Sequence, residues 1–167
     1  MIKLLRSVMD VVYFICAGLA GIALVLIAAI VPWGVFTRYV LNSAASWPEP
    51  AAILLSIVLT FFGAAACYRV GMHMRVSFVA DRIPAPFNRL ADSLAELVML
   101  VIGGFMVSYG QSLCETTWDQ SIADFPSLSV GVTYLPIPLG GLCLMLFVIE
   151  RLLIGPPVPL ASAVTTD

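Results

Sequence analysis

Four stretches of the chain contain no Asp, Glu, Lys or Arg: residues 11–37, 50–68, 97–114 and 125–149. Each approaches or exceeds the roughly 18 to 20 residues that a helix needs to cross a hydrocarbon core about 30 Å thick. Only 11% of the residues are charged, against roughly 25% in a soluble domain, so no charged surface elsewhere offsets these gaps. In lipid every backbone donor and acceptor must be satisfied within the protein, which leaves helices or a closed barrel. Barrel strands alternate apolar and polar residues, and the run from Leu24 to Val31 does not. The expected fold is therefore all-α: a single membrane domain over 1–167 with four transmembrane helices at about 11–37, 50–68, 97–114 and 128–150.

A secretory signal is a competing reading of the first stretch, because Lys3 and Arg6 precede it and Ser43-Ala44-Ala45 resembles a cleavage site. A signal's apolar region has about 7 to 15 residues, and this run is nearly twice that. The four cysteines, Cys16, Cys67, Cys114 and Cys143, lie in or at the ends of different stretches without CxxC spacing. They read as small hydrophobes rather than as a metal or redox site.

Seven of the eight basic residues fall on one side: Lys3 and Arg6 before the first span, Arg69, Arg75, Arg82 and Arg89 between the second and third, and Arg151 after the fourth. Arg38 alone belongs to the other. By the positive-inside rule both termini and the middle loop are expected in the cytoplasm. Trp33, Tyr39, Trp47 and Trp118 then fall near the outer ends of spans, where amphipathic rings prefer the headgroup level, and the second outer loop is acidic through Glu115, Asp119 and Asp124. The middle segment, about 71–92, has room for structure of its own. Met72, Val76, Val79 and Ile83 recur at helical spacing, as in a short helix lying in the interface, although the alternation Met72, Met74, Val76, Phe78 equally suits an extended piece. Pro84 and Pro86 end it, and the third helix is expected to begin near Phe87. Pro136 and Pro138 imply a kink in the fourth span or a helix that starts only after them. Residues 155–167 read as a frayed tail.

Transporters of charged solutes place ionisable or amide groups at mid-membrane depth. Here the first, second and fourth spans have no Asn, Gln, His or charged residue, and the third has only Gln111 near its outer end. A haem held by two histidines is excluded within one subunit whose single histidine is His73, and no carboxylate pair or Ser/His/Asp set lies within the spans. No enzymatic activity is expected. What remains is a scaffold, with small residues at Gly18, Gly21, Gly63, Gly103, Gly104, Gly140 and Gly141 that serve packing inside the bundle or against a partner.

Between Arg38 and Val76 the sequence becomes specific. The run Arg38-Tyr39-Val40-Leu41-Asn42, then Trp47-x-Glu49, then Phe61-Phe62-Gly63-Ala64-Ala65, then Arg69-Val70-Gly71-Met72-His73-Met74-Arg75-Val76 resembles the small membrane subunit of tripartite ATP-independent periplasmic (TRAP) transporters, the DctQ-like family. The family pattern reads approximately R-Y-x-x-N, W-x-E-E, a Gly-Ala-rich second helix, then G-x-H-x-x-V-D. The match is close over these residues, and the Pro136 to Gly140 segment extends it loosely to most of the chain. Two positions depart from it: Pro50 stands where a second Glu is common, and Ser77 where an acidic residue is common.

The resemblance implies a multi-pass protein of a bacterial or archaeal inner membrane, one part of a sodium-driven importer of organic acids such as dicarboxylates, keto acids, and sialic or other sugar acids. Its implied partners are a large multi-helix membrane subunit, a periplasmic solute-binding protein and membrane lipid, with no nucleic acid. It implies no cofactor in this chain, the sodium ions belonging to the large subunit. The residues it marks as a structural or interaction motif are Arg38, Tyr39, Asn42, Trp47, Glu49, Gly63, Arg69, Gly71, His73 and Arg75. Arg38 and Glu49 flank the first outer loop and form an ion pair between helices or remain two solvated charges. Asn42 and Trp47 shape that loop or touch the periplasmic partner. Arg69, His73 and Arg75 are expected to face anionic headgroups. A membrane assembly or anchoring protein with no transport role is the rival reading.

Overall fold

A computed structural model describes residues 2–43, 45–71 and 85–155. The segment expected to form an interfacial helix, with His73 and Arg75, lies outside the described residues, as does the tail beyond Gly155. The elements in chain order are α1 (Ile2–Tyr39), α2 (Pro48–Val70), α3 (Ala85–Thr116), β1 (Ser121–Ile122), β2 (Phe125–Ser129), α4 (Val130–Tyr134) and α5 (Pro136–Ile154). Among the described residues, four segments are long and apolar enough to cross a membrane: Leu5–Tyr39, Pro48–Val70, Ser93–Thr116 and Val130–Ile154. The chain is a multi-pass membrane protein.

Successive spans run in opposite directions, which defines two ends. At the base, α1 and α3 begin and α2 and α5 finish; at the crown lie the α1–α2 loop and the β1–β2 hairpin. The helices form an open row rather than a closed ring. α1 packs on α2, α2 on α5 and α5 on α3, with a small direct contact between α1 and α5. The fourth span is the most enclosed, with a third of its most apolar window buried against 17% for the first and third, so α5 is the element around which the others are arranged.

Local sequence accounts for the boundaries. α1 ends at Tyr39, and Asn42 turns the chain with φ 50°, a left-handed conformation that Asn tolerates better than most side chains. α2 opens on Pro48, whose missing N–H is no loss in a first turn, and carries Glu49 beside the positive end of its dipole. It stops at Gly71, which adopts φ 75° and returns its N–H to the carbonyls of Cys67 and Tyr68. Hydroxyls inside the spans bond back to their own helices: Ser56 to the Ala52 carbonyl at 2.7 Å, Thr60 to Ser56 at 2.7 Å and Ser108 to Gly104 at 2.9 Å. None of these hydroxyls therefore presents an unsatisfied donor to lipid.

The uncharged stretch from residue 125 suggests membrane helix from about 128, yet Phe125–Ser129 is a strand that pairs antiparallel with β1. The hairpin is fastened to the loop that follows α3 and to the start of α4 by local bonds. The Ser129 hydroxyl donates to the Trp118 carbonyl and accepts from Gly131 N–H at 3.1 Å, and Val130 N–H reaches the Gln120 carbonyl at 2.8 Å. The proline pair stands at a break inside the fourth span: Leu135 keeps helical angles between two helical pieces, so the helix does not wait until after the prolines. α4 ends at Tyr134, and α5 begins on Pro136 itself, with Pro138 in its first turn, where both rings are compatible with helix.

The glycines divide into two sets. Gly140 and Gly141, adjacent on α5, face different helices. A Cβ at Gly140 would stand 2.8 Å from Phe61 Cβ on α2, and one at Gly141 would stand 2.7 Å from Met106 Cβ and 3.0 Å from the Gly103 carbonyl on α3. Gly103 answers from α3, where a Cβ would stand 2.6 Å from Met145 Cγ, and a Cβ at Gly110 would stand 2.9 Å from Pro138 Cδ. These contacts bring backbones together, as small residues do in membranes. A Cβ at Gly18, Gly21 or Gly104 would meet nothing within 4 Å, and one at Gly63 would stand 3.7 Å from Ala20 Cβ of α1, an ordinary contact with room for a methyl group.

Candidate functional site

The charges that border the four uncharged stretches meet at the base. Asp10 precedes the first stretch, Arg69 follows the second, Glu96 precedes the third, and Glu150 and Arg151 follow the fourth. Alternating span direction brings all four borders to one end. Arg69 of α2 donates through Nε to Glu150 Oε2 at 2.9 Å and through Nη2 to Glu150 Oε1 at 3.0 Å, a two-point match between a planar guanidinium and a carboxylate. The same Nη2 reaches Asp10 Oδ1 of α1 at 2.7 Å. Tyr13 and Phe147 place their rings 5.5 Å from the guanidinium carbon, within the range of cation–π attraction.

A second group lies alongside. Arg151 of α5 contacts Glu96 Oε1 of α3 at 2.7 Å through Nε, and the Tyr68 hydroxyl of α2 donates to the other oxygen of Glu96. Arg151 also stands 5.8 Å from the Tyr68 ring. The two groups together join α1, α2, α3 and α5. Beneath them lies an apolar cluster of Met9, Ala65, Tyr68, Leu144, Phe147 and Val148, continued by Cys16, Phe62 and Ala66.

Burial determines how much these pairs matter. The side chains of Arg69 and Glu150 are 7% and 4% exposed, whereas Asp10 is 58% exposed. Removing one member of a buried pair leaves an uncompensated charge at a cost of about 3–5 kcal/mol, whereas an exposed partner contributes under about 1 kcal/mol. The Arg69–Glu150 pair is thus the critical link, and Asp10 extends it to α1. Arg69 does not face lipid headgroups as its position suggests; it is buried among three helices. Glu150 and Asp10 were not legible as its companions from motif spacing, nor Glu96 and Tyr68 as those of Arg151, although the borders of the uncharged stretches mark where the charges lie.

At the crown, Arg38, Tyr39 and Glu49 line one cleft of about 490 Å³ between α1 and α2, walled by Ile27, Val31, Val35 and Ile53. Arg38 and Glu49 are exposed and form no ion pair with each other among the described residues. α1 and α2 come together beside them where Gly34 meets Pro48, a Cβ there standing 3.1 Å from the proline. Asn42 serves the turn, and Trp47 sits exposed just ahead of α2. The motif residues therefore do not form a single site. Arg38, Tyr39, Asn42, Trp47 and Glu49 gather at the crown, Gly63 lies at the α1–α2 contact, and Arg69 and Gly71 lie at the base. Among the described residues, no group of three His, Cys, Asp or Glu side chains is placed to hold a metal, and all four cysteines are free.

Four apolar helices tied together by ion pairs at one end define a multi-pass membrane subunit, and among the described residues no Asp, Glu, Lys or Arg lies in mid-span. Residues 27–154 match the family described as tripartite ATP-independent periplasmic transporters, DctQ component, and the chain belongs to that family. It is 23% identical over 128 residues to the sialic acid TRAP transporter small permease protein SiaQ of Vibrio cholerae, covering 74% of this chain and 71% of that one. It is 25% identical over 130 residues to a putative TRAP transporter small permease protein of Haemophilus influenzae, covering 78% and 80%. The protein is a TRAP transporter small permease subunit.

Proposed function

We propose that this chain is the static scaffold of a sodium-coupled importer of organic acids, packing against a large membrane subunit that carries substrate and sodium and helping to dock a periplasmic solute-binding protein. The observation that carries this reading is the disposition of charge. Among the described residues the only buried ionic side chains are Arg69 and Glu150, and they satisfy each other, which leaves no charged group at depth for a passing anion. The substrate class comes from the family and from the relative named for sialic acid; dicarboxylates, keto acids and sugar acids are the range proposed.

In this reading the base faces the cytoplasm and the crown faces the periplasm, because basic residues concentrate at the base. The hairpin, with Glu115, Asp119 and Asp124 around it, then lies on the side from which a solute-binding protein approaches. Labelling of single-cysteine variants from outside the cell should modify a probe at Ser121 and spare one at Asn88; the reverse pattern refutes the orientation. Uptake into liposomes tests the role. This chain alone under a sodium gradient should move no organic acid, and addition of the large subunit and the solute-binding protein should produce sodium-dependent uptake. Transport by the isolated chain, or full transport by the large subunit and binding protein without it, would overturn the scaffold assignment.

A further inference from the structure

The crown cleft between α1 and α2 is unexplained by helix packing, and its chemistry is uneven. Its deeper walls are apolar: Ile27, Val31, Val35 and Ile53. Its mouth holds one guanidinium, Arg38, and one carboxylate, Glu49, which line the same space without pairing. Along α1 the lining runs from Ile27 to Arg38, about 16 Å at the helical rise, close to half of a hydrocarbon core of about 30 Å. The cleft thus begins where headgroups lie and ends near mid-membrane.

The geometry points to a lipid site in this cleft, selective for a zwitterionic phospholipid with a primary-ammonium headgroup, that is, a phosphatidylethanolamine. Arg38 holds the phosphate through charge-assisted bonds, a contact its planar donor fork favours. Glu49 accepts from the ammonium, which offers N–H donors that a quaternary choline lacks. An anionic lipid without an ammonium would satisfy Arg38 and leave Glu49 opposed to negative charge. The apolar walls take the upper part of one acyl chain, and the headgroup then bridges two helices whose own charges do not meet. This inference requires only that the crown lie at a membrane interface, and it stands or falls separately from the transport role.

The test is native mass spectrometry of the full-length chain, released from detergent after incubation with an equimolar mixture of phosphatidylethanolamine, phosphatidylcholine and phosphatidylglycerol. The wild type should retain phosphatidylethanolamine over the other two by about tenfold, and Arg38→Ala and Glu49→Ala should each abolish that preference. Glu49→Lys should reverse it toward phosphatidylglycerol, a gain that a merely misfolded variant cannot produce. Equal retention of the three lipids by the wild type, or an unchanged preference in Glu49→Lys, would overturn the site. The same measurement on the complex with the large subunit should still find the lipid; its loss on assembly would assign the cleft to a partner helix instead.

Discussion

Arg69 shows how much one side chain can organise in a membrane protein. It binds Glu150 at two points, reaches Asp10, and stands 5.5 Å from the ring of Tyr13 and from that of Phe147. A buried charge pair is weak evidence of net stabilisation, because apolar residues of similar volume often serve as well, but a half-removed pair is severely destabilising. Arg69→Met should therefore lower the stability of the detergent-solubilised protein by about 3–5 kcal/mol, Glu150→Met should do likewise, and the double substitution should recover most of the loss. Chemical denaturation of the three variants supplies the cycle, and additive losses would show that the two residues act independently. Asp10→Asn should cost under about 1 kcal/mol, since Asp10 is more than half exposed.

At the scale of elements, α5 is the keystone, and its glycine pair is the reason. Gly141→Ala would drive a methyl group into Met106 and the Gly103 carbonyl, a clash with backbone that cannot swing aside, at a cost of about 1–3 kcal/mol. Gly63→Ala, on a helix face with space for a methyl, should be neutral or stabilising by up to about 1 kcal/mol. Thermal unfolding of the two variants should therefore shift in opposite directions or by clearly different amounts; equal losses would contradict the assigned packing. The number of spans was legible because charge is so costly in lipid that its absence alone marks each helix. Which glycine faces which helix was not, because small residues look alike in sequence whether they meet backbone, as Gly141 does, or nothing, as Gly18 does. The hairpin was missed for a related reason: Phe125 and Leu128 are apolar and uncharged like the helix that follows, and the chain departs from helix through the bonds of Ser129 and Val130, not through composition. Gly71, by contrast, stands out in the motif, and the structure shows it closing α2 in a left-handed conformation.

For the molecule as a whole, the open row α1–α2–α5–α3 leaves α1 and α3 as its two edges, and the base network is what spans that row from Asp10 on α1 to Glu96 on α3. A support against which another subunit moves must keep its own edges at a fixed distance. Of the charged residues in this network only Arg69 belongs to the motif the sequence displays; Asp10, Glu96, Glu150 and Arg151 stand outside it, at the borders of the uncharged stretches. The most direct test measures the separation of spin labels encoded at Ser7 of α1 and Ala95 of α3 in the assembled transporter, with and without sodium and substrate. The account predicts one distance distribution that stays within about 2 Å across all conditions. A displacement of about 5 Å, a full helical turn, would contradict it and make this chain a moving part.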